Sequence, residues 1–165
     1  MRIIFDRPPN YAAILAAFPT IAGRAGVIFA YGPAIYNPGR VKITPALMAH
    51  ESVHAERQES LFPSGGPDDW WDHYIANQDF RLGEEILAHR AEYRRICETP
   101  GVDKPVMGFR SGRAWHLAEL ARRLASPMYG TMVSVAEAKR LIIDQDGVLR
   151  AAIEQMIADQ AAGNS

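Results

Sequence analysis

Residues 48–58 read Met-Ala-His-Glu-Ser-Val-His-Ala-Glu-Arg-Gln, and the array His50-Glu51-Ser52-Val53-His54 lies inside them. Thr44-Pro45 stands just upstream, a good N-cap followed by a good first helical residue, and predicts a helix from about residue 45 to 60. On a helix each residue advances about 100°, so His50 and His54 lie about 40° apart on one face. Their rings can converge on one ion. Glu51 projects from the flank of that face, where it reaches an ion-bound water without being a ligand. Two imidazoles to hold Zn²⁺ and a carboxylate to take a proton from its water are the physical logic of H-E-x-x-H spacing. Leu47, Val53 and Leu61 fall near the histidine side. The pair should therefore be partly buried, which favours neutral imidazole. The competing reading is chance, which yields the pattern in about one chain of this length in a few hundred.

Upstream of this helix the signals are extended. Residues 2–6 read as a strand, 11–18 as a helix stopped by Pro19, and 27–31 and 34–36 as strands separated by Gly32-Pro33. Asn37-Pro38-Gly39 marks a turn, with a further short strand at 41–43. Together they predict a short N-terminal antiparallel sheet. Downstream, 61–69 reads as a loop, 70–74 as a turn of helix, and 79–98 as a second long helix ended by Thr99-Pro100-Gly101. Residues 101–112 read as loop and 113–125 as helix. Ser134-Val135-Ala136-Glu137 is a capping box that opens another helix. A last helix is expected over about 147–161. The expected class is α+β: one domain over 1–165, with a core over about 1–126 and C-terminal helices over about 134–161.

The chain has 165 residues, 48% hydrophobic and 22% charged, the balance of an ordinary globular protein. Its 18 Lys and Arg against 19 Asp and Glu give a net charge of −1, so nothing favours nucleic acid or an anionic membrane as a partner. The single Cys97 excludes an intrachain disulfide and fits a reducing compartment. No apolar run is long enough to span a bilayer, and Asp6 with Pro8-Pro9 makes the N-terminus a poor signal peptide. A cytoplasmic location is expected.

A third ligand has to come from elsewhere. No glycine and third histidine follow His54 at metzincin spacing. The best candidate is in Glu84-Glu85-Ile86-Leu87-Ala88-His89-Arg90-Ala91-Glu92. With Glu85 as angular reference, Ile96 lies at about 20°, His89 at about 40° and Leu82 at about 60°. Glu85 thus stands at the margin of an apolar stripe. A carboxylate drawn to the core there needs a partner, either an ion pair or a metal. Glu84 points the other way and reads as solvated. Ala88 is small enough for close helix approach. His89 and His73 are alternative ligands. Trp70 and Trp71 read as core anchors, and His116 as a plain helix residue.

The first motif, with Glu85-x-x-Ala88 on a later helix, resembles the gluzincins, zincin metallopeptidases with two His ligands and one Glu ligand. In style it is similar to small minimal members and to zincin-like proteins of phages and prophages. The pattern His50-Glu51, Arg57-Gln58, Trp70-Trp71, Tyr74, Glu85 and Ala88 carries the resemblance over about residues 40–98. It implies a zincin-like fold around an active-site helix, with His50, His54 and Glu85 as Zn²⁺ ligands and Glu51 as general base. It also implies a peptide or protein substrate. Many gluzincins place Asp four residues after the ligand Glu to orient a ligand imidazole; here His89 stands at that position. His73, Tyr74, Tyr93, Tyr129 and Arg110 are candidate oxyanion donors, and the segment 41–43 a candidate edge for an extended substrate. The rival reading is a phage- or prophage-derived structural or assembly protein with this fold and little turnover, bound to a protein assembly partner. A third is a regulatory module that the metal only stabilises.

Overall fold

A computed structural model describes residues 1–143; the expected helix over 147–161 lies outside the described residues. Three short strands come first, β1 (Arg2–Ile4), β2 (Phe29–Tyr31) and β3 (Ala34–Tyr36), with helix α1 (Tyr11–Ala17) and a 3-10 turn (Pro19–Ile21) between β1 and β2. Five helices follow: α2 (Pro45–Leu61), α3 (Gly66–Ala76), α4 (Gln78–Cys97), α5 (Gly112–Leu124) and α6 (Val135–Ile143). The α+β class holds.

The sheet is not antiparallel throughout, as the turn signals suggested. Its order is β1-β3-β2, with β1 parallel to β3 and β2 antiparallel to it. The tight Gly32-Pro33 turn, with Gly32 at φ +55°, forces β2 and β3 into a hairpin. The parallel pair β1 and β3 is joined by residues 5–33, which carry α1 and β2 and give the length a crossover needs.

Residues 41–43 are not a strand. The buried Asn37 side chain takes both backbone groups of Val41: Nδ2 donates to the Val41 carbonyl at 2.8 Å and Oδ1 accepts from the Val41 N–H at 2.9 Å. With Arg40 at positive φ, the chain turns there instead of pairing. Part of the expected 61–69 loop is helical. Pro67 suits a first turn because it has no N–H to orphan, and Asp68 and Asp69 face the positive end of the helix dipole.

Thr44 caps α2 as expected, its hydroxyl accepting from Leu47 N–H at 3.1 Å. Ser134 does the same for α6 through Glu137 N–H. The buried residues of α2 are His50, Glu51, His54 and Gln58, all polar. His50 and His54 face α4, whose buried set includes Glu84, Glu85, His89 and Glu92, while Gln58 faces β2. Ala88 is fully buried in α4, where a larger side chain would hold neighbouring elements apart. Trp70 and Trp71 are core residues. Among the described residues no helix is long and apolar enough to cross a membrane.

Candidate metal centre

The α2–α4 seam brings the sequence-predicted residues together. His50 Nε2 lies 3.2 Å from His54 Nε2 and 3.6 Å from Glu85 Oε2, and His54 Nε2 lies 3.4 Å from Glu85 Oε1. Donors about 2.1 Å from a tetrahedral ion stand roughly 3.4 Å from one another, so the spacing fits. His50, Glu85 and His89 also each present a ligand atom within 4.8 Å of the other two. This buried group can hold a metal ion.

The partners of His50 point the same way. His50 Nδ1 is 3.1 Å from Glu92 Oε2. Burial works to raise the Glu92 carboxyl, but the His50 hydrogen bond and the Arg123 charge outweigh it and hold the group at about 2. Glu92 is therefore ionised at neutral pH and only accepts, so the shared proton sits on His50 Nδ1. Nε2 is the ring nitrogen left to face His54 and Glu85. Arg123 Nη1 donates to both Glu92 oxygens at 3.1 Å and completes a chain from solvent to imidazole. Sequence reasoning gave Glu92 no role. It stands seven residues after Glu85, about 20° away around the helix, and that angle was the available signal.

Glu85 is held from two sides. Tyr74 donates its phenol to Oε1 at 2.6 Å, and His89 Nδ1 lies 3.5 Å from Oε2. Burial would raise the Glu85 carboxyl; the hydrogen bond and charge of His54, with His50 and His89, hold it well below the usual range. Burial pushes the His54 ring down, and Glu85 lifts it back above the ordinary histidine value.

His89 donates Nδ1–H to the Glu85 backbone carbonyl at 2.8 Å. Burial, then the His50 charge, lowers its pKa to about 4, so the ring is neutral. Its proton is committed beside Glu85, and Nε2 has no hydrogen-bond partner among the described residues. Glu85 Oε2 and His54 Nδ1 are buried and unpartnered in the same way. Such groups are rare in a folded interior and call for an explanation. A cation drawing on the Glu85 carboxylate supplies one for Oε2.

Glu51 opens into the same cavity as His50, His54 and Glu85. Burial pushes its carboxyl up against the pull of His50 and His54. The cavity is also walled by α1 and the following turn, through Ile14, Phe18 and Ile21.

The other candidates stand apart from this cluster. His73 lies on α3, its ring against Phe62 at 4.8 Å and its Nδ1 donating to Asp69 O. It does not line the cavity. His116 packs on Trp115. Of the expected oxyanion donors, only Tyr74 and Tyr129 reach the cavity, and Tyr74 is committed to Glu85. Glu84 is fully buried rather than solvated, because Arg57 Nε at 2.6 Å and Trp70 Nε1 at 3.2 Å bind it. Helix α4 has neighbours on several sides, so a single apolar stripe understated its burial.

Strand β2 is the sheet edge beside the site. Its Ala30 carbonyl points away from β3 and accepts from Gln58 Nε2 at 3.0 Å and Trp71 Nε1 at 3.1 Å. Gln58 Oε1 accepts from Gly32 N–H at 2.7 Å. One buried carboxamide thus takes the place of a neighbouring strand. Comparison with known protein families, with curated proteins and with solved structures gives no match for this chain.

Proposed function

We propose that this protein is a zinc-dependent metallopeptidase with a zincin-like fold, in which His50, His54 and Glu85 hold the ion and Glu51 is the general base. The observation that carries the reading is the convergence of His50 Nε2, His54 Nε2 and Glu85 on one point beside Glu51, with Glu92 set against His50 Nδ1. Three donors of this kind suit Zn²⁺ and leave a position for water. His89 donates Nδ1–H to the Glu85 carbonyl and keeps Nε2 bare, so it stands as the alternative ligand beside these three. A cytoplasmic setting belongs to the same reading and rests on the lone Cys97.

A bound Zn²⁺ supplies Lewis acidity for a carbonyl and acidifies its water. The chain's own residues do the rest. Glu51, raised in pKa and facing the cavity, accepts a proton and returns it to the leaving amine. Tyr129, whose phenol burial and the Glu85 charge push well above its usual value, stays protonated and, like Tyr74, turns that proton toward Glu85. The Glu92–Arg123 pair keeps His50 in one tautomer, and Tyr74 keeps Glu85 in one rotamer.

One zinc per chain by metal analysis is expected. Glu51→Gln should keep that zinc and abolish cleavage of a diverse peptide library. Wild-type protein without zinc removes the proposal. The second reading, an assembly protein with the same fold and little turnover, is favoured by one observation: the cavity measures only about 80 Å³. Zinc retained with no peptide cut selects it.

A further inference from the structure

The two edges of the sheet are finished differently. On β2 the outward Ala30 carbonyl is taken by Gln58 and Trp71, and Gln58 also takes the Gly32 N–H. On β1 the ladder to β3 uses the Arg2 N–H, which donates to Pro33 O at 3.1 Å, and the Ile4 carbonyl, which accepts from Asn37 N–H at 2.8 Å. Backbone groups alternate sides along a strand, so both groups of Ile3 and the N–H of Phe5 face away from β3. Among the described residues nothing pairs with them. An open edge of this kind is a template for another strand, and folded chains usually blunt it with proline, charge or a cover.

The side chains repeat the pattern. Ile3 stands beside Ile35, and Ile35 beside Ala30, so the three form one row across one face of the sheet. Ala30 is 2% exposed and Ile35 0%, but Ile3 is 41% exposed. Phe5 is 54% exposed even though the Arg40 guanidinium sits 4.8 Å over its ring. The apolar layer under the sheet therefore runs off the β1 edge uncovered. By the same alternation Arg2 belongs to the other face, and so does Asp6 if the chain continues extended. Both are exposed, and among the described residues neither joins an ion pair.

We infer that β1 is the interface for a second copy of this chain, paired antiparallel with its own counterpart about a two-fold axis at Ile4. Charge selects that register. Centred on Arg2, the pairing sets two arginines face to face. Centred on Ile3, it sets Arg2 against Ile4 of the other copy. Centred on Ile4, it sets Arg2 against the other copy's Asp6, and symmetry makes that match twice. Ile3 then lies opposite the other copy's Phe5, and the two exchange backbone hydrogen bonds through the groups that face outward. Apolar and opposite-charge pairs of this kind are what stabilise adjoining strands. The row Ala30, Ile35, Ile3 continues onto that phenyl ring, and the two sheets become one with a β2 strand at each end. Both candidate metal centres stay clear of the junction, so the inference does not rest on the zinc reading.

The test is sedimentation velocity of the full chain from about 5 μM to about 1 mM, a range that covers the weak pairing expected of a small interface. A reversible monomer–dimer equilibrium is expected. Ile3→Pro removes the outward N–H and leaves the bonds to β3 in place. With a circular dichroism spectrum matching wild type, it should be monomeric throughout; Ile3→Lys, which keeps the backbone, should behave the same way. Arg2→Asp and Asp6→Arg should each weaken the dimer about tenfold, because like charges then meet twice. The two substitutions together should bring it back to within about threefold of wild type. A wild-type chain that is monomeric at about 1 mM overturns the inference and leaves the edge to a different protein. A dimer that survives both folded Ile3 variants overturns it, as does a double charge variant no tighter than the singles.

Discussion

Replacing Glu92 by Leu separates a metal centre from a merely buried histidine pair. Glu92 accepts from His50 Nδ1 at 3.1 Å and is itself held by Arg123. Without metal, a Glu92→Leu chain escapes most of the penalty, because His50 can move its proton to Nε2 and donate to Glu85. Zinc needs Nε2 bare and forces the proton back to Nδ1, now facing a methyl group. A buried donor without a partner costs about 1–3 kcal/mol, which predicts a 10–100-fold loss of zinc affinity, the usual range for a lost outer-shell partner. Glu92→Gln keeps an accepting oxygen and loses only the charge, so about tenfold or less is expected. Arg123→Met should cost less still, since that side chain is 39% exposed and its charge is screened. Competition with a fluorescent chelator at pH 7.5 reads all three, with thermal melts of the metal-free proteins as the fold control. A folded Glu92→Leu chain whose zinc affinity stays within about threefold of wild type refutes the reasoning.

Chelation should lower Tm. Zinc at about a thousand times its Kd adds about 4 kcal/mol, which for a chain of this size is on the order of 10 °C by calorimetry. An unchanged melt after dialysis against chelator contradicts a metal in the core. Trp70→Phe removes the indole donor to Glu84 and leaves a buried carboxylate oxygen short of a partner. Urea titration should show a loss of about 1–3 kcal/mol. Tyr31 donates to Asp68 at 2.5 Å, and burial with that bond raises its pKa to about 12. Because the folded value lies above the unfolded one, near 10, its contribution is whole below pH 10 and is lost as pH rises toward 12. Tyr31→Phe should therefore flatten the alkaline limb of the stability curve relative to wild type. Parallel limbs would deny Tyr31 the shift.

The helical part of the molecule was legible because its punctuation is local. Thr44-Pro45, Ser134 and Thr99-Pro100-Gly101 act on the residues beside them. The convergence of His50, His54 and Glu85 was legible for the same reason, since the two histidines share a helix face and Glu85 sits on another helix at a readable angle. What stayed hidden depends on contacts distant in sequence. Pairing of β1 with β3 is decided across a crossover. The refusal of residues 41–43 to form a strand lies in one Asn37 side chain, and Asn-Pro-Gly announces a turn without saying what the turn does to the chain beyond it. Glu84 looked solvated because its partners, Arg57 and Trp70, come from two other helices.

The face that α2 turns toward α4 has a further consequence. Where two helices of an ordinary domain would exchange leucines, this pair exchanges imidazoles and carboxylates. Each of those groups gave up water to be there, and well-packed hydrocarbon of the same shape would hold the helices together at least as well. Selection for robustness alone would erase the seam residue by residue, a leucine for each histidine. A sequence that still carries the whole set is one in which something other than sturdiness is being kept.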